Sequence, residues 1–253
     1  MRLTAAPPYS QLAAHYDRFV GRAQFRHAQR VFEYSVRKQG LRFSSVADFG
    51  CGSGLLARHV ASRWRVPVYA IDRSPQMLGI AVRRCRRLPC TFLLRDYRTL
   101  VLPQPVDLIT MFSFTLNLEV SVAALSEVLE SVWRNLLPGG SWIVDFLTPR
   151  QSVTLPPDSG CAQARILFRG PSRFCFGIGI HSQRRARRYE ERHCARLLAP
   201  VELRDQLDRC GFVLVDALDH ATLGLAQHAS PALVFVVRKP RCAQTARYEM
   251  LNR

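Results

Sequence analysis

The stretch Val46-Ala-Asp-Phe-Gly-Cys-Gly-Ser-Gly54 decides the fold. Four residues of strand character run directly into glycines at positions 50, 52 and 54, and the helical pattern Leu55-Leu-Ala-Arg-His-Val-Ala61 comes at once after them. Glycine tolerates positive φ and carries no Cβ, so such a turn lets the backbone itself touch a ligand at the carboxyl end of a strand. From there to residue 149, short apolar runs alternate with helical patterns. Strands are expected at residues 46–49, 66–71, 91–94, 106–112 and 141–147, and helices at 55–63, 75–87 and 121–136. That alternation implies βαβ units, a mostly parallel sheet and helices on both faces.

Working outward, residues 10–40 place Leu12, Tyr16, Phe19, Phe25, Ala28, Val31, Phe32 and Val36 at helical spacing, with Gly40 as a stop signal. Leu137-Pro-Gly-Gly140 forces a turn before the fifth strand. Residues 151–199 change character: Pro156-Pro157 and Gly170-Pro171 punctuate them, and residues 174–181 and 187–197 favour extended chain, which predicts an antiparallel β insertion. A helix at 200–210 capped by Gly211, then strands at 212–218 and 233–238, end the pattern. The expected fold is therefore α/β: a Rossmann-like, seven-stranded, mostly parallel sheet with helices on both faces, N-terminal helices and an antiparallel β insertion. It reads as one domain, with an N-terminal helical cap (1–44), a ligand-binding core (45–150), the insertion (151–199), the end of the core (200–239) and a basic tail (240–253).

With 253 residues, 48% of them hydrophobic, the chain can bury a sizeable core. No apolar run approaches the ~20 residues that span a bilayer, and the first residues lack a basic stretch followed by an apolar one. A soluble, membrane-free protein without a secretory leader is expected. The net charge of +17 would attract any polyanion, yet only Lys38 and Lys239 are lysines, and no RNA-binding module signature accompanies the arginines. A solvated charged surface is the preferred reading, with a nucleic-acid partner as the alternative. The eight cysteines show neither a C-x-x-C pair nor zinc-ligand spacing, so no metal is expected; several sit in apolar runs, as small buried hydrophobes do, and a reducing cytoplasm is the simplest setting.

Asp72 ends the second expected strand, where a carboxylate can accept hydrogen bonds from both ribose hydroxyls, so a nucleoside ligand is implied. A nicotinamide or flavin site shares that feature, but dinucleotide sites use G-x-G-x-x-G, whereas this chain reads G-C-G-S-G. With Asp48 two residues before Gly50, the stretch resembles motif I of class I S-adenosylmethionine-dependent methyltransferases. The resemblance runs from about Tyr16 to Arg238. It implies Asp48 at the methionine end of the cofactor, with Gly50, Cys51, Gly52 and Gly54 forming the binding turn. Ala70-Ile-Asp-Arg-Ser-Pro-Gln-Met-Leu78 resembles the second-strand motif, implying Asp72 at the ribose, Arg73 beside it, and Met77 or Leu78 against the adenine. Arg95-Asp-Tyr97 resembles the third-strand motif, implying Asp96 at the adenine amino group with Tyr97 next to it; Met111 stands at the fourth-strand exit, and Tyr16 is a candidate lid over the methionine end.

Methyl transfer is an in-line displacement in which the protein contributes alignment and desolvation, so no fixed catalytic motif is required. The Asn-Pro-Pro-Tyr-like element of adenine-N6 and glutamine-N methyltransferases is absent from Met111-Phe-Ser-Phe-Thr-Leu-Asn117. That segment, Tyr16-Asp-Arg-Phe19 and Tyr189-Glu-Glu-Arg-His193 look like small-molecule methyltransferases, in which an inserted β layer closes over the acceptor. The candidate proton acceptors are His193 and His181, with Asn117 standing where relatives often carry His or Tyr; Arg184, Arg185, Arg187 and Arg188 read as a solvated strand face or an anion grip. The expected activity is transfer of a methyl group from S-adenosyl-L-methionine to a nitrogen or oxygen of a small molecule. An RNA methyltransferase and a non-catalytic cofactor-binding module are the competing readings.

Overall fold

A computed structural model describes residues 4–6, 8–150, 162–170, 172–182 and 187–241. The strands are β1 (Thr4–Ala6), β2 (Val46–Phe49), β3 (Val68–Asp72), β4 (Cys90–Leu94), β5 (Val106–Met111), β6 (Leu136–Leu147), β7 (Ala162–Arg169), β8 (Arg173–Ser182), β9 (Arg187–Arg196), β10 (Val213–Asp219) and β11 (Ala232–Arg238). The α-helices are α1 (Arg22–Lys38), α2 (Leu55–Trp64), α3 (Pro75–Arg84), α4 (Val122–Asn135) and α5 (Pro200–Arg209), and a π-helical turn at Asp17–Gly21 leads into α1. Seven strands form one sheet in the order β10-β11-β6-β5-β2-β3-β4, parallel from β6 to β4 and antiparallel at β11 and β10. The expected α/β architecture is thus observed.

Strand periodicity sorts the side chains of β2 into two layers. Ala47 and Phe49 join the core under α4 and α5, with Val128, Val132, Leu203 and Trp142. Val46 faces the other core, under α1 and α2, with Val31, Phe32, Ala57 and Val60. Asp48 shares the face of Val46, which sends a carboxylate into the layer that opens onto the ligand cleft. α3 begins with Ser74, whose hydroxyl accepts from the Met77 N–H, followed by Pro75 in the first turn, a strong start signal that fixes Asp72 two residues upstream.

Three expectations need adjustment. The Leu137-Pro-Gly-Gly140 turn is absorbed into β6 as an irregularity, Val106 lying opposite Leu136 and Leu108 opposite Ser141, with Gly139 at φ +85°. The insertion carries a strand at Ala162–Arg169 besides the two expected, and β1 adds to it in parallel, giving a four-stranded sheet β1-β9-β8-β7. The cysteines are not all free. Cys175 and Cys194 are joined, because the β8–β9 register sets them directly opposite each other; chain spacing alone carries no sign of that opposition. Pro156, Pro157, Cys161, Pro171, Arg184, Arg185 and residues 242–253 lie outside the described residues, as do the side chains of Arg187 and Arg188.

Candidate functional site

One cleft opens at the carboxyl ends of β2, β3 and β5. Its floor is the glycine turn. Gly50, Gly52 and Gly54 all have positive φ, at +74°, +54° and +76°, but they serve different ends. A Cβ on Gly52 would meet nothing within 4 Å and would project into the open cleft, so this glycine keeps ligand space clear. A Cβ on Gly50 would stand 2.7 Å from Thr115 Cγ2, so this glycine lets the β5 exit close against the loop. Gly54 caps α2 and presses on Ala81 of α3, where a Cβ would lie 2.7 Å from Ala81 Cβ; it is a packing residue and does not line the cleft.

Two carboxylates flank the loop. Asp48 is 4% exposed; its Oδ1 accepts from Thr110 Oγ1 at 2.8 Å, while Oδ2 is buried with no partner among the described residues. Burial raises its pKa to about 7, offset in part by the Thr110 hydrogen bond. Asp72 accepts from Gly52 N–H and Ser74 N–H, both at 2.8 Å, and burial pushes its pKa up. The ribose candidate thus also braces the turn. Arg73, Met77 and Tyr97 complete this side, the Tyr97 hydroxyl donating to buried Glu119 at 2.5 Å.

The opposite wall is long-range. Tyr9 and Tyr16 stand over the cleft with ring centroids 6.0 Å apart, and burial raises both phenol pKa values, that of Tyr9 to about 12. Phe25 and Ala28 of α1, and Phe112, Ser113, Thr115 and Leu118 from the β5 exit, fill the remainder. Tyr9 has φ +59°, and its N–H donates to Glu191 Oε2 at 2.7 Å; Gln11 and Leu12 N–H donate to Oε1 of the same fully buried carboxylate at 2.6 and 2.8 Å. Glu191 thereby ties the N-terminal segment to the insertion. Burial would raise its pKa, but the contact with His193 and the three N–H donors together hold it below the ordinary carboxylate value.

Gly50, Cys51, Gly52, Asp48, Asp72, Arg73, Met77, Tyr97 and Tyr16 thus line one cleft, and Gly54 does not. Several other candidates do not. Met111 is fully buried under α4, one residue too early, and Phe112 and Ser113 take the wall instead. Leu78 points into the α1–α2 core. The Asp96 carboxylate is taken by the Arg98 guanidinium, whose hydrogen bonds lower its pKa, and it does not line the cleft. Asn117 spends its side chain on backbone: Nδ2 donates to Leu147 O at 3.0 Å and Arg196 O at 2.6 Å, and Oδ1 accepts from Leu147 N–H at 2.8 Å. It bolts the insertion to the core and is not placed to take a proton. His193 is 3% exposed, one layer behind Tyr9, with its ring stacked on Phe176, its edge against Tyr9 and Nε2 3.3 Å from Glu191. His181 lies opposite Arg188 in the β8–β9 register, and its side chain is outside the described residues.

Tyr9, Ser113, Thr115 and Glu191 went unread in the sequence. Only the Tyr16-Asp-Arg-Phe19 neighbourhood points toward the first, since contacts such as that of Gln11 with Glu191, 180 residues apart, leave no local pattern. Among the described residues no group of His, Cys, Asp or Glu is arranged to hold a metal ion, and no helix is long and apolar enough to cross a membrane.

Residues 46–140 match the family model of a methyltransferase domain. The chain is 34% identical over 139 residues to a trans-aconitate 2-methyltransferase of Mycobacterium ulcerans (strain Agy99), covering 50% of this chain and 48% of that one, so the match spans about half of that curated relative. In fold it is similar to an S-adenosylmethionine-dependent methyltransferase from Clostridium acetobutylicum ATCC 824, with a TM-score of 0.76 at 18% identity over 90% of this chain and 97% of that one. It is likewise similar to an S-adenosylmethionine-bound amino pentose methyltransferase from Micromonospora echinaspora, with a TM-score of 0.62 at 16% identity over 87% and 96%.

Proposed function

We propose that this chain is a class I S-adenosylmethionine-dependent methyltransferase that transfers a methyl group from S-adenosyl-L-methionine to a nitrogen or oxygen atom of a small-molecule acceptor, a reading supported by the methyltransferase-domain match over residues 46–140. The observation that carries the cofactor is the pairing of an open Gly52 with two carboxylates on one cleft, half-buried Asp72 and buried Asp48, whose second oxygen has no partner among the described residues. A ligand with a cationic amino end and a ribose fits that donor set; a pyrophosphate, which needs N–H groups and positive charge, would meet Asp48 and Asp72. The cofactor supplies an activated methyl on a sulfonium. The remaining work falls to the chain. Asp72 would accept from the ribose hydroxyls, Met77 and Tyr97 would cover the adenine, and Asp48 would take the amino group.

A small acceptor is favoured by the wall opposite. Tyr9, whose N–H donates to Glu191, and Tyr16, whose hydroxyl donates to Gln24, roof the cleft, which suits a molecule that enters the pocket better than a folded RNA laid across it. Relatives named for trans-aconitate and for an amino pentose are in keeping with that class. The test is calorimetry with S-adenosylhomocysteine, followed by labelled-methyl transfer into a metabolite extract. Binding at micromolar Kd, roughly −8 kcal/mol, with label in small molecules is expected. Binding of NAD instead, or label appearing only in RNA, would overturn the reading.

A further inference from the structure

The segment leaving β5 is strained where it meets the cleft. Ser113 and Phe114 have φ +62° and +60°, two successive non-glycine residues in the left-handed region, a conformation that persists only where the surroundings impose it. Asp145, on β6 and 2% exposed, accepts from the Ser113 N–H through Oδ2 at 3.0 Å and from the Phe114 N–H through Oδ1 at 2.7 Å. One carboxylate thus satisfies both consecutive donors that the unusual backbone turns inward. On its far side His220 Nε2 lies 3.4 Å from Oδ2, and the His220 ring packs between Phe114, at 4.9 Å, and His27, at 3.8 Å.

The next residue couples this turn to the glycine loop. Thr115 donates through its hydroxyl to Phe112 O at 2.7 Å, and its methyl fills the place a side chain on Gly50 would need. Any relaxation of Ser113 and Phe114 would shift Thr115 against the glycine loop. We propose that Asp145, steadied by His220, is a positioning residue for this site: it holds the left-handed turn at Ser113 and Phe114, and through Thr115 sets the seat of the Gly50 loop. The assignment rests on the methyltransferase reading only for the ligand used to probe it. Only a carboxylate serves both donors, because asparagine offers one acceptor and would set its own N–H against the second.

The experiment is a double-mutant cycle read by S-adenosylhomocysteine calorimetry and by thermal denaturation of the free protein. Asp145→Asn should weaken binding roughly ten-fold or more and lower the midpoint, since a charge-assisted hydrogen bond is lost and a buried N–H orphaned. Glycine adopts positive φ freely, so in a Ser113→Gly background the same substitution should cost at least about three-fold less in both readouts. A strictly additive cycle, or an Asp145→Asn protein that binds like the parent, would overturn the proposal. Should Asp145→Asn not fold, recovery of folding by Ser113→Gly supports the clamp. Failure to recover passes the decision to His220→Gln, whose expected two- to five-fold loss must also shrink in the glycine background. If the unaltered protein does not bind S-adenosylhomocysteine, the function proposed above falls, while the thermal cycle still decides for or against the clamp.

Discussion

On the glycine-loop side of the cleft, the ligand-facing groups from Asp48 to Met77 come from one β-turn-α-β-turn-α run, so their relative positions follow from strand pleat, turn chemistry and a helix cap. The opposing side draws Tyr9 and Tyr16 from before α1 and Ser113 and Thr115 from the β5 exit, and depends on Asp145 of β6 and Glu191 of β9 to hold them. Both sides place residues at positive φ. On the first these are glycines, which adopt it without strain; on the second they are Tyr9, Ser113 and Phe114, each kept there by N–H donation to a buried carboxylate. The contrast separates a wall that stands by local chemistry from one that stands by tertiary contacts.

The sharpest way to break it is Gly50→Ala. A Cβ 2.7 Å from Thr115, added at φ +74°, strikes the point where the two walls touch, so cofactor affinity should fall roughly 100-fold and the melting temperature with it. Calorimetry showing parent-like affinity would mean that the walls are not coupled there. Asp72→Ala comes next, with an expected loss of about 2 kcal/mol in cofactor binding, because it removes the ribose acceptor and also frees the Gly52 N–H. A folded variant with unchanged Kd would move the ribose contact elsewhere.

Asp48→Asn should divide stability from binding. The folded-state pKa of about 7 lies above the ordinary 3.8, so the group's contribution is fully present below pH 3.8 and is lost as pH rises through 7. The free Asn variant should therefore be more stable than the parent at pH 8, by at least about 1 kcal/mol, with a flatter stability profile between pH 4 and 7, while binding cofactor less tightly. Denaturant titrations at several pH values test this, and a parent whose stability is flat across that window would show the carboxyl to be ordinary.

The smallest effect is expected at His193. Since it touches Tyr9 and Glu191 and not the cleft, His193→Gln should lower turnover by no more than about three-fold and leave the acidic limb of the pH–rate profile in place. Loss of that limb would restore it as the base and with it the importance of the insertion to chemistry.

The same division explains what could be read from the chain. The order of strands and helices, the glycine turn and the place of Asp72 at a strand end emerge from pattern and spacing, because each depends on neighbours within a few residues; Asp48 and Met77 are legible only through the family resemblance. Asp96, Met111 and Asn117 do not line the cleft, for physical reasons that spacing does not encode. An arginine two residues on captured the first, the pleat turned the second inward one position before the exit, and backbone groups of two strands saturated the third. Glu191 was passed over beside His193, although its carboxylate does the holding. The pairing of Cys175 with Cys194 was equally hidden, since it depends on hairpin register.

The parallel contact between β1 and β9, with Glu191 beneath it, has a consequence for engineering. Exchanging the inserted segment with that of a relative would treat it as a cassette. Here the cassette is in two pieces, because the insertion carries the anchor, Glu191, and the segment before α1 carries the roof, Tyr9 and Tyr16. A chimera that imports residues 162–197 alone would bring a foreign anchor to a native roof, and one that trims the N-terminus would leave Glu191 buried without its donors. Exchanges should move residues 4–21 and 162–197 together.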